Sequence, residues 1–428
     1  MPLNQNDRIL ALQKLIAESK PDREDDIVYK NDKKRKGIYQ IPFDFLVFNK
    51  YNGRILSMTK SFESQFYELN PAKEADSKII SDFLYESKED RNKATELDLQ
   101  RWGQKRYGIV TKDGVIVDGN RRASLLKRNY AKDPTKSQPY FLAVILDDVL
   151  DGVNSRDIMQ LETTYQMGED EKLDYNPIEK YLKCRQLREA DFTSSDIAKM
   201  MVEKESKVNE WLDILKLMDE YLNSLGYNNI YTRLEKREGQ FVDLNSYLNK
   251  YRSGTGLVEW NYDKESDVSD LKMVCFDYIR AQYEGKEFRS IAKPGKESFF
   301  CKENVWKKFF DEHNELINPL NQSEKTRDEI QEENPDVSLP KLLKQRDEIW
   351  ATKAKGLMQG NLNKSIRVLE DANESNAPLK LISRAIGTLE QVNTENPAFY
   401  DDTSIDDLLK KINEIIWDFK QTIKIKRK

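Results

Sequence analysis

The chain has one histidine and three cysteines in 428 residues, and both shortages remove chemistry. A lone His313 cannot build a zinc centre, and any serine or cysteine nucleophile would have to rely on it as base. It lies in the polar helical stretch FFDEHNEL, where an exposed, idle side chain is expected. Cys184, Cys275 and Cys301 stand far apart and in no metal-ligand spacing, which fits a reducing compartment without a disulfide framework. Phosphate loops rich in glycine are missing too. Neither G-x-x-x-x-G-K-[ST] nor G-x-G-x-x-G occurs, so the common nucleotide folds are not supported. No apolar run approaches the length of a membrane span, and MPLNQNDRILALQKLIAESK at the start is an amphipathic helix rather than a signal peptide. A cytoplasmic protein with no membrane partner is expected. The net charge of −5, from 70 basic and 75 acidic residues, gives no global field toward nucleic acid, so any DNA contact must come from a local patch.

What is present is a strongly solvated, helix-rich chain, 38% hydrophobic and 34% charged, long enough for two to four domains with their own cores. Its centre of interest is YGIVTKDGVIVDGNRRASLL, from Tyr107 to Leu126. Tyr107 to Thr111 and Val115 to Val117 read as strands, and Asp113-Gly114 between them is a hairpin signal. Asp118-Gly119-Asn120 stops the second strand, Asn120 is placed as an N-cap, and Arg121 and Arg122 open a helix. Two arginines at a helix N-terminus oppose its partial positive charge unless something anionic is bound. Backbone N–H groups, a glycine that lets a ligand approach and two guanidinium forks suit a phosphate chain. A solvated arginine pair after an ordinary hairpin is the competing interpretation.

Along the rest of the chain, residues 1–36 read as an N-terminal helix, an acidic turn and a basic linker, KNDKKRK. Residues 37–151 read as a small α+β domain. Ile38 to Phe48 is a strand broken by Pro42, Asn49 to Arg54 a turn, Asp76 to Gly103 mostly helical, and Tyr140 to Leu146 a buried strand. Residues 152–224 turn helical, with Ile158 to Gln166, an acidic break from Glu169 to Asp174, and a helix opening at Pro177. In the last part Thr193 is placed as the cap of Ser194 to Met201 and Ser206 as the cap of a second helix. That is helix-turn-helix spacing, with Lys204, Ser206, Lys207 and Asn209 as the DNA-facing set, although Glu203, Glu205 and Glu210 oppose it. Helical periodicity continues through 225–330 and a C-terminal bundle at 331–428, with no repeat of fixed period.

In this order the chain resembles the ParB/sulfiredoxin superfamily, and more closely ParB-like proteins carrying a helix-turn-helix after the nucleotide-binding domain. The resemblance covers about residues 38–222 and rests on three blocks. Asn49 to Arg54 stands at the first box, Asp118-Gly119-Asn120-Arg121-Arg122-Ala123 at the phosphate-holding box, and Glu162-Thr163-Thr164-Tyr165-Gln166 through Asn176-Pro177-Ile178-Glu179 at the third. The resemblance implies a nucleoside triphosphate, CTP before ATP, held by Arg54, Asp118, Gly119, Asn120, Arg121, Arg122, Glu162 and Thr163. Glu162 would be the ligand for Mg2+. It also implies DNA binding and a homodimer whose conformation or closure follows the nucleotide. Asn120 replaces the family's glutamate and Thr163 its asparagine, so at most a slow, CTPase-like NTPase activity is expected, with turnover slow or absent. Sulfiredoxin chemistry is excluded, because Asn120 stands where it needs a cysteine. A ParB-type nuclease or other nucleotide-dependent enzyme is the alternative. A protein-interaction module with a vestigial nucleotide site, recruiting a partner through the C-terminal helical half, is a third. Plasmids, phages or defence loci are the expected setting.

Overall fold

The computed structural model describes residues 3–30, 32–150, 155–169, 175–295, 298–373, 377–402 and 404–427. The architecture is α+β: one five-stranded sheet near the N-terminus, then a long all-helical region. The domain edge expected at Asp151, and most of the acidic break expected from Glu169 to Asp174, lie outside the described residues.

The sheet begins earlier than the sequence suggests. After α1 (Gln5–Glu18), β1 (Arg23–Tyr29) and β2 (Asp32–Pro42) pair as an antiparallel hairpin. The expected basic linker is therefore a strand. Its cations face the acids of β1, with Lys33 Nζ 3.0 Å from Asp26 and Arg35 Nε 2.8 Å from Glu24, a cross-strand charge match that a linker does not need. Pro42 ends β2, as expected of a residue with no N–H for the ladder. Then come α2 (Leu56–Gln65), α3 (Glu74–Glu86), α4 (Glu89–Trp102), β3 (Gly108–Val110), β4 (Ile116–Asp118), α5 (Asn120–Lys132) and β5 (Tyr140–Ile145). Strand order is β1-β2-β5-β3-β4; β3 lies parallel to β5 and the other pairs are antiparallel.

Strand residues alternate between the two faces of the sheet. Val110, Ile116, Phe141, Ala143 and Ile145 pack under α1, α3, α4 and α5. Ile109, Val117, Val144 and Leu146 face Ile158 and Leu161 of α6 (Ser155–Thr163). The helix ends in a π-helical turn, Thr164–Glu169, of the kind frequent at functional sites.

Beyond it lie α7 (Pro177–Glu189), α8 (Ser194–Met201), α9 (Glu205–Ser224), α10 (Glu238–Ser253), α11 (Ser266–Arg280) and α12 (Lys286–Ala292). Next are α13 (Glu303–Gln322), α14 (Arg327–Glu333) and α15 (Leu339–Asn373), followed by α16 (Ala377–Leu389), α17 (Ala398–Asp401) and α18 (Ser404–Lys426). One continuous apolar core joins Leu56 and Met167 to residues as distant as Leu369, so the cuts expected after residues 224 and 330 fall inside shared packing. His313 is not exposed: it is buried, with Nε2 3.0 Å from Asp277 Oδ2 and its ring against Tyr278.

α2, absent from the sequence reading, carries the joint between the sheet and the helices. Ile55, Met58 and Phe62 face the sheet core, while Leu56 belongs to the helical core. The hydroxyl of Ser61 accepts from Thr232 N at 3.1 Å, and that of Ser64 donates to Asn228 O at 2.7 Å.

Candidate nucleotide site and the buried network behind it

The turn from β4 into α5 is shaped by packing. Gly119 has φ +91°, which favours glycine. A Cβ there would lie 2.8 Å from Phe141 Cζ, and one on Gly108 only 2.3 Å from the same atom. Both glycines therefore make room for the Phe141 ring. Gly119, not Asn120, is the N-cap, and no side chain caps α5. Asn120 is instead a buried brace whose Nδ2 donates to Ile116 O at 2.7 Å and whose Oδ1 accepts from Asn49 N at 2.9 Å.

Arg121 and Arg122 follow in the first turn, both partly buried. Arg122 Nη1 donates to the carbonyls of Arg106 at 2.9 Å and Tyr107 at 3.1 Å, which fixes its guanidinium against the start of β3. Asp118 ends β4. Arg54 lies with Cζ 4.5 Å from the centre of the Tyr175 ring, a cation–π contact. Burial pushes the Tyr175 phenol up, Arg54 opposes that, and Glu162, Asp118 and Glu179 add to it. These groups share one electrostatic neighbourhood.

Glu162 is 3% exposed, and its partner is Lys183, 1% exposed, with Nζ 2.8 Å from Oε2. Its other oxygen accepts from Asn52 Nδ2 at 3.2 Å. Asn52 also donates to Gln166 Oε1 at 3.2 Å, Gln166 Nε2 donates to Val117 O at 2.9 Å, and Tyr175 donates to Gln166 Oε1 at 3.0 Å. Lys183 Nζ makes a further bond of 3.1 Å to Gln186. The lysine ammonium thus sits where a metal on Glu162 would sit. No group of three or more His, Cys, Asp or Glu side chains that could hold a metal ion occurs among the described residues. A protein-held Mg2+ does not fit Glu162 in this arrangement. Thr163 turns away, donating to Met159 O at 2.7 Å within its own helix.

Beside this network Glu179 caps α2 from α7. Its carboxylate accepts from Ser57 N at 3.2 Å and from the Ser57 hydroxyl, which suits the positive end of a helix. Burial nevertheless lifts its carboxyl to about 7 against those hydrogen bonds.

Sequence reasoning named Arg54, Asp118 and Glu162, which gather around Tyr175, Asn120, which meets Asn49, and Arg121 and Arg122, which stand in the first turn of α5. It missed Asn52, Gln166, Tyr175 and Lys183. The first two stood inside the quoted blocks. Lys183 was legible only from α7, whose residues Ile178, Glu179, Tyr181, Leu182, Lys183, Cys184 and Leu187 are all buried; a helix covered on so many sides buries its lysine and demands a counter-ion.

The second constellation lies at α8 and α9. Thr193 and Asp196 form a capping box on α8, as its sequence suggests. Val202 follows with φ 54°, and α9 opens at Glu205 with Lys204 as N-cap, so Ser206 is inside the helix rather than its cap. Lys204 and Ser206 are exposed. Lys207 Nζ pairs with Glu210 Oε2 at 2.9 Å and Asn209 Oδ1 accepts from the Ser194 hydroxyl at 2.7 Å. Lys207 and Trp211 also line an open cavity of about 940 Å³ with Lys180, Tyr181 and Lys236.

No family model matches the chain. Nor does any curated protein.

Two predictions follow from the network. Removing one partner of a buried ion pair leaves an uncompensated charge, so Lys183→Met and Glu162→Leu should each cost about 3–5 kcal/mol, while the paired substitution costs far less than their sum. A double-mutant cycle on thermal or urea unfolding measures this, and additive costs would contradict it. Glu179 gives a pH signature. Its folded value of about 7 lies above the ordinary 4.5, so the stability from its protonation is full below about pH 4.5 and is lost as pH rises through about 7. Glu179→Gln should flatten the melting temperature across that window; curves that stay parallel to the parent's would refute the assignment.

Proposed function

We propose that this is a ParB-like, nucleotide-responsive DNA-binding protein in which a nucleoside triphosphate, CTP before ATP, acts as a conformational ligand. The observation that carries the reading is the closure of three sequence-distant blocks on one another at the start of α5. Asn49 N bonds Asn120, Asn52 bonds Glu162, and Gln166 bonds Val117 O. In this proposal the phosphates lie at the N-terminus of α5, where helix dipole and guanidinium forks favour anions. Arg121 supplies the phosphate contact, Arg122 is held in place by the Arg106 and Tyr107 carbonyls, and Arg54 borders the site from its stacked position on Tyr175.

The residues favour binding over turnover. A water attacking a phosphate needs a base or a positioned metal. Asn120 has both its polar atoms engaged by Ile116 and Asn49, Thr163 is bonded to Met159, and Glu162 is neutralised by Lys183. Slow or absent hydrolysis follows, and a nuclease or other nucleotide-dependent enzyme is the weaker reading. Any Mg2+ would arrive on the phosphates rather than on a protein cage. DNA contact is assigned to the exposed Lys204 and Ser206 at the start of α9, with Lys207 and Asn209 contributing only on release from Glu210 and Ser194. A homodimer, and protein contacts through the C-terminal helices, complete the proposal.

The ligand selects among conformations through α2. Arg54 lies two residues before that helix, and α2 bonds the helical region at Glu179, Thr232 and Asn228. A triphosphate that draws Arg54 toward it would therefore bias the seat of α2.

Titration of the full chain with CTP, ATP and GTP tests the reading. CTP should bind best. Arg121→Ala should weaken it by roughly ten- to a hundredfold, the loss of about 1.5–3 kcal/mol from a charge-assisted contact, and Arg121→Lys should rescue little, since an ammonium lacks the fork. Binding of none of the three would leave the protein-interaction module with a vestigial site.

A further inference from the structure

Three arginines and two carboxylates meet where the end of α11 and the residues after α13 reach α15. Arg280 Nη1 donates to Glu324 Oε2 at 3.0 Å, and its Nε donates to Asp347 Oδ1 at 3.3 Å. Arg346 Nη2 donates to Glu324 Oε2 at 2.9 Å and its Nη1 to Leu225 O at 2.8 Å. Arg233 pairs with the other oxygen of Asp347. The side chains of Arg280, Arg346, Glu324 and Asp347 are between 3% and 14% exposed, so three positive charges face two negative ones largely out of water. The Nε atoms of Arg233 and Arg346 are buried without a hydrogen-bond partner among the described residues. An excess cation in such a place is costly unless an anion comes near.

The cluster stands behind a cleft of about 400 Å³ that Arg346 and Glu324 line, a volume that suits a small molecule. Glu324 brings no spare charge to it, since one oxygen is engaged by Arg280 and the other by Arg346. The rest of the lining is largely apolar. Leu342 and Trp350 are buried, Leu320 and Ile330 half-buried, and Ile349 is 58% exposed. Leu342, Arg346, Ile349, Trp350 and Lys353 recur at helical steps along α15, so one face of one helix presents apolar and cationic groups together. Arg280 Cζ lies 4.5 Å from the centre of the Trp350 ring, which brings the buried charge directly against the aromatic wall. At the rim Lys325 is paired with Glu333 at 2.6 Å, and Lys353 adds an exposed cation. α14, which contributes Ile330, buries none of its residues; Arg327 Nη2 ties it to Ser64 O at 2.9 Å.

We propose that this cleft binds a small amphipathic carboxylate, its apolar body against Trp350, Ile349 and Ile330 and its anionic head toward Arg346 and Lys353. The sign of the head follows from the three-to-two charge count, because a cationic excess attracts an anion far more strongly beside a low-dielectric interior than in water. A neutral amphiphile gains the apolar contact alone, and a cationic one is repelled. The cleft shares no residue with the proposed phosphate position at α5, so this site stands independently of the nucleotide.

Calorimetric titration of the full chain tests it, with decanoate and 1-naphthoate as anionic probes below any micelle-forming concentration. Decanol and decylammonium are the neutral and cationic controls. At least one carboxylate should saturate a single site, and the tighter of the two tells whether an acyl chain or a flat ring is the preferred body. Decanoate should bind roughly tenfold tighter than decanol, and decylammonium weaker than either. Two exposed positions separate the contributions without disturbing the buried cluster. Ile349→Gln should weaken decanoate and decanol alike, by roughly fivefold. Lys353→Glu should weaken decanoate by roughly three- to tenfold, less so at high salt, and leave decanol unchanged. Failure of both carboxylates to bind, equal binding of all three decyl probes, or binding indifferent to both substitutions would each overturn the proposal.

Discussion

The arrangement of the candidate site depends on one buried ion pair, Lys183 with Glu162. Neither charge is tolerable in the interior alone, and each is tolerable with the other only if its remaining hydrogen-bonding capacity is met. Asn52 and Gln186 meet it. Because Lys183 belongs to α7, Glu162 to α6 and Asn52 to the turn before α2, satisfying the pair fixes three elements whose sequence positions are far apart. Gln166 extends the constraint to the backbone of β4 and to Tyr175. Such networks specify one packing over others more than they stabilise it.

Two further contacts carry that packing from the sheet into the helices. Glu179 of α7 holds the N-terminus of α2, and Arg54, two residues before that helix begins, stacks on Tyr175. Arg54 and Glu179 both act on the Tyr175 phenol, as does Asp118 at the end of β4. In the proposed function an anion at the start of α5 competes for Arg54 with the aromatic face that already holds it, and its effect on conformation is the differential between the two arrangements. The proposed role of the nucleotide as a conformational ligand rests on that competition.

The local elements around the site were more legible in the sequence than the long-range pairings that assemble them. The hairpin from Tyr107 to Val117 followed from alternation and Asp113-Gly114, and α8 from Thr193 with Asp196, because both signals are local. β1 and β2 were hidden because Lys33 and Arg35 look like a solvated run until Glu24 and Asp26 face them across a ladder. α2 was hidden because Ile55, Leu56, Met58 and Phe62 are interleaved with Ser57, Thr59 and Ser61, which it also buries, so the apolar period is diluted by hydroxyls. His313 looked idle because Asp277, its acceptor, lies 36 positions away. Lys183 was passed over for the same reason: its meaning lies in Glu162. Asn120 was misplaced by one position, since the cap was decided by the left-handed φ of Gly119 and by an N–H from Asn49.

Hydrogen–deuterium exchange on the full chain, with and without saturating CTP, tests the central claim that ligand at α5 is read through the closed blocks. The account predicts slowed exchange at Asn120 to Ala123, at Asn49 to Ser61 and at Ile158 to Gln166 together, the last without direct contact with phosphate. Protection confined to the first turn of α5, or found only in segments remote from all three blocks, would contradict it.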